Sequence, residues 1–327
     1  MKKTIALVTG GFSGESVISY KSAITIKNNI DTLKWNCYTI DIHPSGWFYV
    51  AADGQQITVD KNDFSIIEGG KKIIFDAVLI ALHGTPGEDG KLQGYFDCLH
   101  IPYTSCNAAT SALTFNKRYT VAVAAFGGLK VAKSKHLFKD TAVTAEDILT
   151  DLKLPVFVKP NNGGSSIGMS KVSEKSQLLQ ALDKAFIEDE QVLVEEFIKG
   201  REFTIGVFKS KVNIIALPIT EIICKEDFFD YEAKYNGKTE EVTPAKVAES
   251  IAEKVRDAAK KAYLIFNCDG VVRIDFIYDE ESGYPYMLEI NTVPGQSQAS
   301  IVPQQVKSMG WSLETFYSTL IEECLVK

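Results

Sequence analysis

The sequence predicts an α/β protein: an N-terminal parallel unit followed by two α+β units. Buried-type apolar strands at Ile5–Thr9 and Ala77–Leu82 enclose a helical stretch, and strand–helix–strand order implies a parallel sheet with right-handed crossovers. A short helix–strand–loop–helix–strand set comes next, then a second set of strands with its own helices. The 327 residues allow two or three domains, on a prior of about 100–200 residues each.

In order, Ile5–Thr9 is a strand that ends at Gly10-Gly11, and Ser16–Asn29 is a helix with Val17, Ala23 and Ile24 as apolar positions. Cys37–Ile42 and Ala77–Leu82 complete a first unit over 1–105. Ala108–Phe126 reads as one helix stopped by Gly127-Gly128. Strand Val156–Lys159, a glycine-rich loop, helix Glu174–Phe186 and strand Val192–Glu195 close a second unit, 106–195. The third, 196–327, opens with strands Glu202–Phe208 and Val212–Pro218. A polar segment, Lys225–Thr243, is too long for an ordinary connection and reads as a candidate active-site lid. Pro244 suits the start of a helix running to Phe266. Two strands, through Arg273 and Glu289, and two short helices end the chain.

Apolar residues at 45% and charged residues at 24% exclude a largely disordered chain. A net charge of −7 argues against a general nucleic-acid binder. The opening residues resemble the basic start of a signal peptide, but the apolar run is short and Gly10-Gly11 breaks it, so a strand is expected. No apolar stretch reaches the roughly 18 residues a membrane span needs. Six cysteines without a C-x-x-C pair suggest reduced thiols in a cytoplasmic protein.

Arg273-Ile274-Asp275 and Glu289-Ile290-Asn291 alternate polar with apolar. At a strand's period of two, Arg273 and Asp275 share one face, as do Glu289 and Asn291, while Ile274, Phe276, Leu288 and Ile290 point into a core. Paired side by side, these strands gather two carboxylates, an amide and a guanidinium. Such hard oxygen ligands suit Mg²⁺ and the phosphates it carries; a solvated sheet face uses the same alternation. Thr292–Gly295 follows, where a glycine after proline can expose its N–H.

The loop Asn161–Gly168 carries three glycines and two serines after Lys159. Such a loop can bring backbone N–H groups to phosphate oxygens, or it can be a plain turn. No G-K-[ST] is present, so it is not a Walker A loop. Glycines at 10, 11 and 14 fail the dinucleotide spacing. Glu15 stands at the mouth of that turn, where an acidic residue also complements a helix dipole. His83 follows a strand end, the usual ligand side of an open α/β sheet. Glu88 and Asp89 read as capping the next helix. Lys117, inside a helix, reads as solvent-facing.

Together the segments GGFSGESVIS (10–19), ALHGTPGEDGKLQG (81–94), FVKPNNGGSSIGMSKV (157–172), LVEEFIKGREFT (193–204), FFDYEAKY (228–235) and RIDFIYD…MLEINTVPG (273–295) resemble the D-alanine–D-alanine ligases of the ATP-grasp superfamily. The resemblance runs along nearly the whole chain in the same order. It implies a three-domain ATP-grasp architecture clasping ATP, and ATP-dependent joining of two D-alanines through an acyl phosphate for peptidoglycan precursor synthesis. Lys117 and Lys159 would contact phosphates, with Ser166 and the rest of the Gly163–Gly168 loop over them. Glu195, Glu196 and Ile198 would frame adenine and Glu202 would meet ribose. Asp275, Glu289 and Asn291 would hold two Mg²⁺ or Mn²⁺ ions. Glu15 would bind the ammonium of the first D-alanine, which His83 would help to place. Arg273 and the Gly295 N–H would form the oxyanion site. Ser300, Ile301 and Lys234 would receive the second carboxylate, and Ser165 and Tyr235 would bond to Glu15 and fasten the lid.

The resemblance also implies a homodimer with small-molecule substrates, no nucleic acid and no membrane. Asn116 and Phe229 depart from the family's commoner Asp and Tyr. Three other readings compete: an ATP-grasp ligase for another acid and amine, a non-catalytic nucleotide-binding module, and an oxidoreductase built on the first strand. The complete Asp275, Glu289 and Asn291 set argues against the second, and the glycine spacing against the third.

Overall fold

The computed structural model describes residues 2–164, 167–224 and 239–326. Ser165, Ser166, Lys234, Tyr235 and Phe229, with residues 225–238 of the candidate lid, lie outside them.

The first sheet holds β1 (Lys3–Gly10), β2 (Trp35–His43), β3 (Gly46–Val50) and β4 (Gln56–Thr58). A hairpin of β5 (Ile66–Glu68) and β6 (Lys71–Ile73) precedes β7 (Ala77–Ile80), and the sheet order is β4-β3-β2-β1-β7. β1 runs parallel to both β2 and β7, as the strand–helix–strand pattern predicts, with α1 (Ser16–Asn29) as the first crossover. β3 and β4 extend it as an antiparallel meander. The loop after β7 leads to α2 (Lys91–Cys98).

The expected single helix from 108 to 126 is two: α3 (Ala108–Phe115) and α4 (Lys117–Phe126). Asn116 breaks it with extended backbone (φ −97°, ψ 108°), and its side chain accepts the Tyr119 N–H at 3.2 Å as the cap of α4. Lys117 is therefore the first residue of a helix, not a mid-helix surface lysine.

Next come β8 (Ser134–Phe138), α5 (Ala145–Leu149), β9 (Val156–Pro160), β10 (Ser170–Val172), α6 (Leu178–Glu188) and β11 (Gln191–Glu196). The strands form an antiparallel sheet, β10-β9-β11-β8. Ile148, Val156, Val158, Leu178, Ala185 and Val192 give this segment its own core.

The third sheet is built from β12 (Arg201–Ser210), β13 (Asn213–Ala216), β14 (Thr220–Cys224), β15 (Thr239–Val242), β16 (Val271–Asp279) and β17 (Tyr284–Asn291). Its long helix, α7 (Glu249–Ile265), starts five residues beyond Pro244. The Ala245 N–H instead donates to the Ile219 carbonyl at 2.8 Å, which holds that stretch along the sheet and delays the helix. Val255, Ala259 and Tyr263 of α7 cover Phe203, Ile205 and Ile274; each large apolar side chain so buried contributes about 1.5–3 kcal/mol. The chain ends with α8 (Ile301–Ser308) and α9 (Leu313–Leu325). Phe316, Tyr317 and Leu320 of α9 share a core with Ile5, Leu7 and Ala23, so the C-terminus packs on the first sheet. Among the described residues no helix is long and apolar enough to cross a membrane.

Candidate active site

β12, β16 and β17 lie side by side, so their alternating residues form one face. The register sets Thr204 opposite Asp275, Asp275 opposite Glu289 and Arg273 opposite Asn291. The four residues singled out by alternation therefore converge. The Arg273 guanidinium grips Asp275 with two bonds, Nε to Oδ1 at 3.0 Å and Nη2 to Oδ2 at 2.8 Å, and lies 3.8 Å from a Glu289 oxygen. Thr204 donates to Asp275 from the other side, and Asn291 Nδ2 is 3.5 Å from Asp275 Oδ2. Burial opposes the Arg273 charge, but Asp275 and then Glu289 and Glu88 outweigh it and hold the guanidinium above its ordinary pKa.

One detail differs from strict alternation. The pairing shifts between Asp275 and Phe276, so Phe276 faces Met287 and Leu288 is the extra residue of a bulge. Met287 takes the core position, and Leu288, expected in the core, lines the cavity.

That cavity holds about 550 Å³ between the second and third sheets. Arg273, Asp275, Glu289 and Glu202 of the third sheet line it, together with Lys117, Lys159, Gly163, Gly164, Glu195, Glu196, Ile198 and Ile301. Lys159 pairs with Glu195. Lys117 Nζ donates to the Gly163 carbonyl at 2.6 Å. Burial, with the nearby Lys159 charge, pulls the Lys117 ammonium below its ordinary value, against the opposing pull of Glu289. An anion between these lysines relieves that repulsion. Glu196 is also tied outward, accepting the Lys153 N–H at 2.8 Å.

Asn161 couples the two lysine-bearing elements. Its carbonyl accepts the Lys117 N–H at 3.0 Å and its Oδ1 accepts the Arg118 N–H at 2.9 Å, just beyond the end of β9. Its contribution is not visible from spacing, because the contact spans more than forty positions.

A second, more open cavity of about 530 Å³ is lined by Ser13, Glu15, Asp89 and Asn116, and shares Asn162 and Gly163 with the first. Here Glu15 meets the glycine-rich loop: a Cβ built on Gly164 would lie 2.9 Å from Glu15 Oε1. His83 is buried, and both ring nitrogens are engaged. Nδ1 is 2.7 Å from the Val293 carbonyl, which can only accept, so Nδ1 carries the proton and Nε2 accepts from Ser22 Oγ at 2.9 Å. Burial pushes the imidazole down to about 4, so it is neutral near pH 7. Ser22 Oγ also accepts the Gln296 N–H at 3.0 Å, which fastens α1, His83 and the segment after β17 at one point. Gly295 packs against Ser300, where a Cβ would come within 2.7 Å of Oγ.

Glu88 differs from the sequence expectation. Asp89 stays with Thr85 and Lys91 near the start of α2, but Glu88 turns inward and accepts the Gly84 N–H at 2.8 Å.

The donor set suits a divalent cation. Asp275, Glu289 and the Asn291 amide offer hard oxygens beside two lysines that favour phosphate. Among the described residues no three His, Cys, Asp or Glu side chains gather for a metal; the third donor here is an amide.

Comparison with known proteins agrees with this geometry. The family described as "D-ala D-ala ligase N-terminus" matches residues 4–106, and "D-ala D-ala ligase C-terminus" matches 115–322. The D-alanine–D-alanine ligase of Phocaeicola vulgatus is 44% identical over 322 residues, covering 98% of this chain and 99% of that protein. The VanG D-Ala:D-Ser ligase from Enterococcus faecalis superposes with a TM-score of 0.88 at 31% identity, covering 98% and 99% of the two chains. The Bacillus anthracis D-alanine–D-alanine ligase complexed with ATP superposes with a TM-score of 0.80 at 28% identity, covering 99% and 97%. Matches of this extent, on both halves and over an ATP-grasp fold, establish that the chain belongs to the D-alanine–D-alanine ligase family.

Proposed function

We propose that this protein joins two D-alanine molecules into D-alanyl-D-alanine at the expense of ATP, for peptidoglycan synthesis. One observation carries the reading: Arg273, Asp275 and Glu289 open into the same cavity as Lys117 and Lys159. That places charge-stabilising groups from two sheets around one small volume.

The chemistry needs them. A carboxylate is a poor acyl donor, so an oxygen of the first D-alanine attacks the γ-phosphorus and the bond to ADP breaks. The resulting acyl phosphate is attacked by the amine of the second D-alanine. The amine loses a proton, the C–N bond forms and phosphate leaves. Lys117 and Lys159 hold the phosphates; Ser166, assigned to the same group, lies outside the described residues. Glu195, Glu196 and Ile198 frame the base, and Glu202 the ribose. Glu15 holds the first ammonium, and neutral His83 keeps the surrounding segments in register. Arg273 and the Gly295 N–H stabilise the oxyanion of the tetrahedral carbon; one such donor is worth about 10²–10³ in rate. Ser300, the Ile301 N–H and Lys234 receive the second carboxylate. Ser165 and Tyr235, assigned to Glu15 and to a cover that keeps water from the acyl phosphate, lie outside the described residues. Mg²⁺ or Mn²⁺, held in pairs by Asp275, Glu289 and Asn291, supplies charge neutralisation at the terminal phosphates when bound.

Three units, 1–105, 106–195 and 196–327, fit the three larger sheets, and the separate core of the middle one supports its moving as a body over ATP. Val17, Tyr20 and Ile24 stay exposed on one side of α1, which supports a homodimer formed through the first unit. The net charge of −7 speaks against nucleic acid as a partner. Dependence on ATP favours the cytoplasm, away from membranes.

Phosphate release from Mg-ATP tests the assignment. It should require D-alanine, with L-alanine and D-lactate as weak substitutes. Release that ignores D-alanine, or responds equally to L-alanine, overturns it.

A further inference from the structure

Val293-Pro294-Gly295-Gln296 has the residues of a type II β-turn, with proline second and glycine third. The chain does not make that turn. Gly295 is not among the glycines with positive φ, which a type II turn requires there, and the Gln296 N–H does not return to the Val293 carbonyl. Both of those groups go to side chains of the first unit instead. The Gln296 N–H donates to Ser22 Oγ at 3.0 Å, Ser22 donates to His83 Nε2 at 2.9 Å, and His83 Nδ1–H donates to the Val293 carbonyl at 2.7 Å. Ser22 and His83 stand where the turn's own hydrogen bond would close.

The Gln296 side chain holds the middle of the segment. Its Nε2 donates to the Pro294 carbonyl at 3.1 Å, and its Oε1 accepts from the Tyr317 hydroxyl of α9 at 3.3 Å. The Pro294 carbonyl can only accept, so the amide nitrogen must face it and the oxygen must face Tyr317. Burial raises the Tyr317 phenol above its ordinary pKa, so the hydroxyl keeps the proton it donates. Gln296 is 5% and Tyr317 1% exposed, and Tyr317 shares a core with Leu313, Phe316 and Leu320. An amide and a phenol are costly in such a core unless bonded. Here the bonds run in series to one peptide group, Pro294–Gly295. That peptide is trans, so its C=O and N–H point in opposite directions. Holding the Pro294 carbonyl toward Gln296 turns the Gly295 N–H the other way, out from the core. Relaxation to the type II turn would rotate this peptide and re-aim the N–H. On its far side Gly295 packs against Ser300, next to Ile301 of the first cavity.

We propose that Gln296, braced by Tyr317, is a positioning residue for the condensation: it aims the Gly295 N–H at the oxyanion of the tetrahedral carbon. The inference rests on the assignment of that N–H to the oxyanion. Gln296 and Tyr317 act on the reaction through Gly295 alone.

Rapid quenching reads the two chemical steps apart. With the full-length protein in excess over Mg-ATP and D-alanine saturating, ADP reports phosphoryl transfer and D-alanyl-D-alanine reports attack on the acyl phosphate. Gln296→Met keeps the length of the side chain without its amide. It should form ADP at the parent rate and dipeptide about 10–100-fold more slowly, a part of what a whole oxyanion donor supplies. Michaelis constants for ATP and D-alanine should stay within about twofold, because the oxyanion exists only after both have bound. Tyr317→Phe removes one hydroxyl and should slow dipeptide formation about two- to tenfold. It should add nothing to Gln296→Met. Parent-rate dipeptide formation in Gln296→Met, or an equal slowing of ADP, overturns the proposal. If Gln296→Met does not fold, Tyr317→Phe decides by the same two readouts. A Tyr317→Phe cost that persists in the Gln296→Met background refutes the brace. Glycolic acid in place of Gly295, an ester without the N–H, separates the two readings. If it leaves dipeptide formation intact, the Gly295 assignment fails and takes the proposal with it. If it slows dipeptide formation while Gln296→Met does not, the role of Gln296 alone is refuted.

Discussion

At the scale of residues, Asp275 concentrates the most chemistry. It takes two bonds from Arg273, one from Thr204 and the approach of Asn291, and it lies opposite Glu289. Asparagine keeps the shape and the Thr204 contact but removes the charge that both Arg273 and a divalent cation need. Asp275→Asn should lower D-alanine-dependent phosphate release by at least about 10²-fold, while circular dichroism and a cooperative melt show a folded protein. Near-normal turnover in that variant rules out the metal assignment. This residue and its three companions were legible from alternation alone, because a strand's period puts i and i+2 on one face whatever surrounds them. Glu88 was not. Its neighbour Asp89 does not cap α2 either, since Gly90 is the N-cap with no side-chain bond; Asp89 is held by Thr85 and Lys91 instead, and only the packing of four separate segments distinguishes the two carboxylates.

At the scale of elements, the break between α3 and α4 decides where Lys117 goes. Composition suits one long helix, and Asn116 is the residue that divides it. Asn161, just past the end of β9, then clamps the new helix start by accepting the Lys117 and Arg118 N–H groups. Removing the cap with Asn116→Ala should cost about 1 kcal/mol and raise the Michaelis constant for ATP several-fold. Asn116→Asp, which can cap equally well, should restore both. Thermal melts and ATP titrations of the two variants check this, and an Ala variant equal to the parent in both shows that the cap does not set the lysine. The bulge at Leu288 belongs to the same scale. A one-residue insertion in a strand is invisible to alternation, yet it brings Leu288 to the cavity wall.

At the scale of the whole molecule, two buried titratable groups act on stability in opposite directions. His83 is pushed from 6.5 down to about 4, so between those values the unfolded chain binds more protons than the native one and raising the pH stabilises, by about 3 kcal/mol in all. Glu88 is pushed from 4.5 up to about 8, so between those values the native state binds more protons and raising the pH destabilises. The two oppose each other up to pH 6.5; above it only Glu88 still acts. Of these contributions, a decline in stability between pH 6.5 and 8 should survive in the parent and vanish in Glu88→Gln, measured by urea unfolding at several pH values. An identical slope in both proteins contradicts it. The exposed side of α1 makes a second prediction at this scale. If the proposed homodimer forms through this face, Ile24→Lys should lower the mass seen in light scattering from two chains to one, and an unchanged two-chain mass places the interface elsewhere.

The sequence by itself determined the parallel first unit, the order of strands and helices, the sheet face bearing Arg273, Asp275, Glu289 and Asn291, and the family. These rest on short-range periodicity and on motifs that local residues carry whole. Tertiary structure alone decided that α9 completes the core of the first sheet, that Lys117 and Lys159 line a common cavity through Asn161, and that Glu88 faces Glu15 and Arg273. Each depends on contacts between segments far apart in the chain, where burial and partner charges, rather than neighbours in sequence, set what a side chain does.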